Sequence, residues 1–552
     1  MKSERAVRIF DTTLRDGQQC PGAGMSIERN MEYARLAAEL GVDVLEAGFP
    51  AASSLDFQIV NEIAAELSTN EDSPLIAALC QLRDEQIDRT IESLMPAVAR
   101  KKGLLHVYLP VDPELMEASL GARANDKAGL VADVHAFVMR AAKAGLEVEF
   151  SPEGYSRQGK NFEFVTDVIR AAVDAGATVI NCPDTIGGAS IYEGENYFVN
   201  LMNRHAEIVA KEFPGRTVIW SAHCHNDYGL ALQNSLNAVF DGPARQIEGC
   251  INGIGERAGN VALEQCIVAI KNMAPLKDPK NPLYTRAKTE LLQKASDFVS
   301  KHMLPRQPHQ PVVGDNAAKH SSGGHTNAVL KNPLVYHPFD PREVGKDITF
   351  LFGPLSGGNH AKSIIEGFGY ICDESEKVKV SQFIKDLYSQ RRKGITDQEL
   401  LRGYFEYRKP INVDRFDYAK SANKAEIKLH GKFFTQEGEI HEELQGRDSA
   451  LAALKLAVDR DFGKIHIESH RSESDSQGIN AKSVSKIIIV DEKNDRYEGT
   501  GEDHDIEISA MRALIDAVNI AYIERNFRKS ASTNAAGINA DLTVNEKSGA
   551  AK

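Results

Sequence analysis

Three polar stretches of this sequence carry side chains that bind divalent metals, and each follows a short apolar run. The first contains Asp16, the second contains His223 and His225, and the third ends at Asn260. A carboxylate, two imidazoles and an amide oxygen form a mixed donor set that suits zinc, manganese, iron or cobalt. On an octahedral ion this set would leave positions for water or a bidentate substrate. If the three stretches converge, the sequence predicts a metal-dependent active site.

Each stretch taken alone also has an ordinary structural interpretation. His223 and His225 are two residues apart in a strand-like run, so both side chains point to one face, but a solvated histidine pair would have the same spacing. An aspartate or asparagine beside glycine, as at Asp16 and Asn260, is more often a turn former. The metal hypothesis therefore requires all three stretches to meet in the fold.

Arg15 and Glu153 are candidates for charge and proton chemistry. The fixed cation of Arg15 could stabilise a developing oxyanion, or it could form a salt bridge with Glu46 or Glu153. Glu153 lies just after an apolar run and could orient a water or assist a base. The loop at residues 252–260 is rich in glycine but lacks the GxGxxG spacing of a dinucleotide site, so no nicotinamide cofactor is predicted.

The elements that must position these residues alternate between strand and helix. Apolar, β-rich runs lie at residues 7–10, 42–48, 75–79, 104–109, 148–151, 178–182, 217–222 and 246–251. Helix-compatible segments between them include residues 27–40, 56–67, 128–144 and 164–175. Eight such units favour an α/β fold with a closed (β/α)8 TIM barrel, whose active sites lie at the carboxyl ends of the strands. All three polar stretches fall at those ends, together with His106, Glu153 and Thr185.

The chain is predicted to contain further parts beyond a barrel at residues 1–280. Residues 281–420 are expected to form a linker and subdomains, including a Gly/His-rich stretch that contains His325. A weak internal repeat predicts a C-terminal α+β domain of two βββα-like halves at residues 421–528. The tail at residues 529–552 has no periodic apolar face and is expected to be disordered.

Composition excludes several classes of protein. The formal net charge of −13 over 552 residues disfavours a broad phosphate-binding surface, so no nucleic-acid partner is expected. No apolar run is long enough to span a membrane, and the one near the N-terminus is too short for a signal peptide, so a cytoplasmic location is expected. The seven cysteines lack paired CxxC spacing and indicate reduced thiols.

The three polar stretches also carry a family resemblance. The motifs DTTLRDG at residues 11–17, HCHND at 223–227 and NGIGERAGN at 252–260 resemble those of the DRE-TIM group of acyl-CoA-dependent condensing enzymes, especially the 2-isopropylmalate synthase family. The stretch at 320–325 is similar to a subdomain motif of that family, and the repeated halves are similar to its leucine-sensing regulatory domain. The resemblance implies a Claisen-type condensation of acetyl-CoA with 2-oxoisovalerate to give 2-isopropylmalate and CoA in leucine biosynthesis.

The resemblance also implies residue roles. A divalent metal (manganese, magnesium or zinc) would be held by Asp16, His223, His225 and Asn260. Arg15 would offset oxyanion charge, while Thr185 and His106 would bind substrate, and His325 with Glu153 and a water would remove the methyl proton of acetyl-CoA. A homodimer and feedback inhibition by leucine are implied as well.

Two departures from the family pattern leave the substrate open. Gln18 stands where the family often has an acid, and the segment at residues 151–155 differs from the usual serine-x-glutamate-aspartate pattern. Citramalate and homocitrate synthases, which use pyruvate or 2-oxoglutarate, are therefore alternatives. A related lyase would need a cysteine in the loop at 252–260, which has none. An alternative from another class is an inactive barrel that serves as a metabolite-sensing protein.

Overall fold

The chain forms two compact units. The computed structural model describes residues 5–192, 197–391, 394–421, 424–445, 449–475 and 481–529. The first unit takes in Met1–Lys319 and Tyr336–Thr349, and the second takes in His320–Val335 and the chain from Phe350 onward. The tail predicted to be disordered lies outside the described residues except for Lys529. None of the described helices has both the length and the apolar character needed to cross a bilayer.

The first unit is built on a closed barrel of parallel strands. The strands are β1 Arg8–Asp11, β2 Val44–Glu46, β3 Leu75–Gln81, β4 Gly103–Pro110, β5 Glu147–Glu153, β6 Val179–Asp184, β7 Ile219–Cys224 and β8 Ala244–Gly249. They pair in sequence order, and β1 pairs with both β2 and β8, which closes the barrel. The predicted TIM barrel is therefore confirmed.

Helices connect the strands and cover the barrel. They are α1 Ile27–Leu40, α2 Ser54–Leu67, α3 Asp84–Val98, α4 Pro113–Leu120, α5 Lys127–Lys143, α6 Phe162–Ala175, α7 Phe198–Glu212, α8 Ala231–Phe240 and α9 Leu263–Lys277, followed by α10 Leu292–His302. Local signals set their ends: Ser26 accepts a hydrogen bond from the Arg29 backbone at the start of α1, and Gly41 ends that helix with a φ of 85°. The predicted linker begins with α10, which packs against α1.

Alternation along each strand separates the helix-facing core from the barrel interior. Leu45 and Leu105 belong to the large core shared with the helices. Their neighbours Val44 and Leu104 belong to a separate small apolar cluster. His106 is two residues beyond Leu104 and therefore also faces inward, which is how a polar layer comes to lie inside an apolar barrel.

The second unit combines short helices with a C-terminal α+β domain. Its helices before that domain are α11 Gly323–Val329, α12 Gly358–Gly367, α13 Lys377–Leu387 and α14 Asp397–Arg408. A two-stranded sheet, β9 Lys319–His320 with β10 Thr349–Phe350, lies where the chain passes between the units. The remaining elements are β11 Ile411–Ser421, β12 Lys424–Phe433, β13 Gln436–Gln445, α15 Ala450–Asp461, β14 Ile465–Ser474, β15 Ser483–Asp491, β16 Arg496–Asp503 and α16 Ile506–Phe527.

The C-terminal domain is built of two βββα halves. Each half has an antiparallel three-stranded sheet and one long helix, and both halves contribute to one apolar core. Residues 492–494 lie between β15 and β16, where Asn494 adopts a left-handed turn with φ of 68°. The first strand of each half is β11 or β14. Because β11 begins at Ile411, the domain starts ahead of the predicted boundary at residue 421.

Close packing of β16 on α16 gives a first testable prediction. A methyl group on Gly499 would lie 2.2 Å from the Ala517 backbone nitrogen and 2.3 Å from the Ala513 carbonyl oxygen. We expect Gly499→Ala to push α16 away and to lower the free energy of unfolding by about 1–3 kcal/mol. The control is Gly367→Ala, where a methyl group meets nothing within 4 Å. Denaturant titrations that give both variants the same stability would contradict the prediction.

Candidate active site

A cavity of about 200 Å³ opens at the carboxyl ends of the barrel strands. Its walls are mostly polar, with apolar surface from Leu79 and Pro183. The predicted site residues that line it are Arg15, Asp16, His106, Glu153, Thr185, His223 and His225. Seven residues singled out from sequence are thus brought together by barrel closure.

Asp16, His223 and His225 form a compact set of metal-binding atoms. One ligand atom from each lies within 4.8 Å of the others, and all three residues are buried. The His223 Nε2 and His225 Nε2 atoms are 3.2 Å apart. Burial, reinforced by the charge of His223, lowers the pKa of His225 to about 4, so its ring is neutral at pH 7. Burial alone would raise the pKa of Asp16, but Arg15 and the two histidines lower it to about 2.

Asn260, the fourth predicted ligand, lies next to Asp16. Its Nδ2 donates hydrogen bonds to Asp16 Oδ1 at 2.6 Å and to the Ile254 carbonyl oxygen at 3.1 Å. Its Oδ1 is buried, and no described residue donates a hydrogen bond to it. Buried amide oxygens normally have a partner, so this orphaned acceptor beside a carboxylate and two imidazoles fits a divalent cation.

Arg15 is held by three buried carboxylates. Its Nε donates to Glu46 Oε2 at 2.6 Å, its Nη1 to Asp16 Oδ2 at 2.6 Å, and its Nη2 to Glu248 Oε1 at 3.0 Å. Burial opposes the charge, but the three carboxylates more than offset it and raise the pKa of Arg15. Glu46 is thus one of the two predicted partners, while Glu153 is not among the described ion pairs of Arg15.

A polar layer in the wall of the cavity links Arg15 to His223. Glu248 Oε1 lies 3.0 Å from His223 Nδ1, a close contact that is not a linear hydrogen bond. Asn181 Nδ2 donates to Glu248 Oε2 at 2.7 Å and to Ser151 Oγ at 3.0 Å. Carboxylates that contact a ligand imidazole orient it toward the metal. The sequence patterns did not single out Glu248 or Asn181. A glutamate inside the apolar run at 246–251 could have indicated a buried functional carboxylate.

His106 lies in the same layer. Its Nδ1 is 2.8 Å from Glu46 Oε1, and its Nε2 is 2.7 Å from Ser151 Oγ. Burial disfavours the imidazolium, but the charges of Glu46 and Glu248 outweigh burial and raise the pKa of His106 to about 9. His106 is therefore a charged partner of Glu46 at neutral pH.

The shifted pKa of His106 predicts a pH dependence of stability. Because the folded pKa of about 9 exceeds the ordinary 6.5, the ionised pair stabilises the fold fully below pH 6.5 and loses that effect as the pH rises through 9. We expect the gap in unfolding free energy between the wild type and His106→Asn to shrink over this interval. A gap that stays constant from pH 6 to 10 would contradict the assignment.

Glu153 is the last residue of β5, and Thr185 directly follows β6, so both lie at the mouth of the barrel. Thr185 Oγ1 accepts a hydrogen bond from the Gly154 backbone at 2.9 Å, which leaves its hydroxyl proton free to point at a ligand. Arg257 Nη2 donates to the Thr185 carbonyl oxygen at 2.6 Å. Burial raises the pKa of Glu153, and Arg15 acts in the opposite direction.

His325 lies in the second unit. It is part of α11, and its ring centroid is 6.2 Å from that of His320. The barrel cavity and His325 are described in separate units, so a catalytic role for His325 stays a prediction.

Comparisons with known proteins assign the chain to a family. Residues 6–299 match the HMGL-like family, residues 312–392 the homocitrate synthase post-HMGL domain-like family, and residues 401–522 the LeuA allosteric (dimerisation) domain. A 2-isopropylmalate synthase of Rhodopseudomonas palustris (strain TIE-1) is 33% identical over 542 residues, which cover 96% of this chain and 97% of the relative. The chain belongs to the 2-isopropylmalate synthase family.

A second curated relative also spans nearly the whole chain. A 2-isopropylmalate synthase of Staphylococcus aureus (strain MRSA252) is 31% identical over 521 residues, which cover 93% of this chain and 96% of the relative. The crystal structure of an HMG-CoA lyase from Bacillus subtilis superposes with a TM-score of 0.43 at 17% identity, covering 55% of this chain and 95% of the lyase. The two curated relatives and the matched family models confirm the family predicted from the three motifs, and the chain is a condensing enzyme of the 2-isopropylmalate synthase family.

Proposed function

We propose that this enzyme condenses acetyl-CoA with 2-oxoisovalerate and water to give 2-isopropylmalate and free CoA. The observation that carries the proposal is the placement of Arg15, whose charge is fixed by three carboxylates, directly beside the donor set of Asp16, His223 and His225. A fixed cation next to a metal-binding cluster is suited to a reaction in which a carbonyl oxygen becomes negative.

The metal would be held by Asp16, His223, His225 and Asn260. Manganese, magnesium and zinc are the candidates, and the two imidazoles favour manganese or zinc. When bound, the ion would polarise the ketone of the oxo acid as a Lewis acid. The neutral ring of His225 and the ionised carboxylate of Asp16 are both in the state that binds a cation at neutral pH.

Arg15 has donors to spare for the developing charge. A guanidinium has five N–H groups, and the bonds to Glu46, Asp16 and Glu248 use three of them within the described part of the chain. The other two can donate to the ketone oxygen as it becomes an alkoxide. Thr185, with its hydroxyl proton free, can donate to the carboxylate of the oxo acid.

The chemistry requires a proton to leave the methyl group of acetyl-CoA. As it leaves, the methyl carbon attacks the ketone carbon, the ketone oxygen takes a proton, and water then cleaves the thioester to release the CoA thiol. Glu153 is placed to help accept the methyl proton, because it lines the cavity and burial raises its pKa toward the range of a useful base. His325 is the proposed partner in this step.

A panel of 2-oxo acids tests the substrate. Enzyme supplied with Mn²⁺ and acetyl-CoA is incubated with 2-oxoisovalerate, pyruvate or 2-oxoglutarate, and the free thiol is followed. We expect release with 2-oxoisovalerate to exceed release with either alternative. Preference for pyruvate would indicate a citramalate synthase, and preference for 2-oxoglutarate a homocitrate synthase. Thiol release with none of the acids would favour the metabolite sensor.

We propose further that the enzyme works as a homodimer inhibited by leucine. The match of residues 401–522 to the LeuA allosteric (dimerisation) domain supports both points. We expect millimolar leucine to lower the rate of thiol release, while alanine at the same concentration leaves it unchanged. An unchanged rate with leucine would contradict the regulatory proposal, and a monomeric mass in light scattering would contradict the dimer.

A further inference from the structure

The loop that carries Asn260 packs tightly against its own beginning. The Asn260 backbone N–H donates to the Gly253 carbonyl oxygen at 3.1 Å. A methyl group on Gly253 would lie 3.0 Å from the Asn260 carbonyl oxygen, and one on Gly259 would lie 2.0 Å from the Gly253 carbonyl oxygen. Because backbone meets backbone here, a displacement of Gly253 must also displace Asn260.

The residue before Gly253 is held by side chains outside the cavity. Asn252 has a left-handed φ of 63°, and its N–H donates to Glu264 Oε2 at 3.0 Å. Gln310 Nε2 donates to the Asn252 carbonyl oxygen at 3.0 Å and to Glu264 Oε1 at 3.3 Å. Ser296 Oγ donates to Asn252 Oδ1 at 2.5 Å, and Asn252 Nδ2 donates to the Ser296 carbonyl oxygen at 2.9 Å.

These contacts exceed what the turn needs. An asparagine tolerates the left-handed region without tertiary support. Here both backbone polar groups and both side-chain polar atoms of Asn252 are bonded. Glu264 and Ser296 are fully buried, which means that their polar atoms were desolvated to reach Asn252. Such an arrangement is expected where the position of a loop matters to a site that it carries.

We propose that Glu264, Ser296 and Gln310 act as a clamp on Asn252, and that this Asn252 clamp sets the position of Asn260 beside Asp16. The three are positioning residues, and Gln310 comes from the chain after the barrel. The inference rests on the proposed role of Asn260 as a metal ligand. It adds that metal affinity depends on residues that touch neither the metal cluster nor the cavity.

Two variants test the clamp with little risk to folding. Gln310→Ala removes a half-buried amide, and Asn252→Gly keeps a residue suited to positive φ but deletes the contact with Ser296. The control is Gln293→Ala on α10, another half-buried glutamine, which bonds Asp297 and not Asn252. Two readouts are taken: hydrogen exchange of the backbone amides at 252–260 in excess chelator, and the affinity of the full chain for Mn²⁺.

We expect both clamp variants to exchange the Asn260 amide faster than the wild type, and to bind Mn²⁺ about 10-fold more weakly or worse. The control should match the wild type in both readouts, and all thermal midpoints in chelator should agree closely. Unchanged exchange, or faster exchange with unchanged Mn²⁺ affinity, would overturn the clamp. If the wild type itself bound no divalent metal and the two clamp variants still exchanged faster, the clamp would be supported and the metal assignment overturned.

Discussion

Arg15→Lys is expected to lower kcat by at least about 100-fold while leaving the fold intact. A lysine keeps the positive charge among Glu46, Asp16 and Glu248, so these carboxylates are not left without a cation. The planar guanidinium can bond all three carboxylates and still present two N–H donors to an oxyanion. The compact ammonium of lysine cannot do both. Steady-state kinetics with acetyl-CoA and the preferred oxo acid would measure the loss, which should fall on kcat more than on KM.

Two further variants make the Arg15 result specific. Arg15→Ala removes the cation altogether and should also destabilise the protein, by about 3–5 kcal/mol, because buried carboxylates then lack their partner. Arg257→Lys is the matched control, since Arg257 lines the same cavity but is exposed and paired with Asp227. We expect it to lose less than about 10-fold in kcat. Wild-type kcat in Arg15→Lys would exclude the oxyanion role.

His223→Ala should remove the metal and the activity together. The substitution deletes one of two imidazoles in the cluster and also breaks the contact with Glu248. We expect the affinity for Mn²⁺ to fall by more than about 100-fold and kcat by roughly 1000-fold, because a polarising cation contributes several kcal/mol to such a transition state. Metal content after gel filtration and kcat at saturating Mn²⁺ measure the two effects independently.

A buried histidine away from the cluster supplies the control for His223. His205 is fully buried and lies 2.8 Å from the Tyr155 hydroxyl, and burial lowers its pKa to about 4. His205→Ala should therefore lower stability through lost packing but keep its metal. If His223→Ala retained full metal content, the ion would have to be held elsewhere, and the proposed ligand set would be wrong.

The sequence predicted the elements well because local signals set their ends. The segment predicted as a helix at 27–40 matches α1, since a serine cap and a glycine stop flank a periodic apolar face. In the C-terminal domain the same reasoning missed β11 and β14, whose exposed outer positions give a weak apolar signal.

The convergence of the candidate site residues was predictable from the sequence, but the polar layer that supports them was not. Alternation along β7 and the residue that follows it indicated that His223 and His225 share a face, and the barrel explained why Asp16 lies beside them. The contact of Glu248 with both Arg15 and His223 depends on how strands β1, β7 and β8 are staggered, which no single-strand pattern contains. The bonds of Asn260 depend likewise on the conformation of a glycine-rich loop.

Closure of the barrel has a consequence for how the enzyme is made. Asp16 and Asn260 are separated by 244 positions in the sequence but meet in one hydrogen bond. During synthesis on a ribosome, Asn260 is added roughly 10–50 s after Asp16. Until β8 joins β1, the nascent chain has neither a closed barrel nor a complete set of metal donors. The proposed metal site can therefore be completed only after the barrel closes, and a chain released early would carry Asp16 and Arg15 without Asn260.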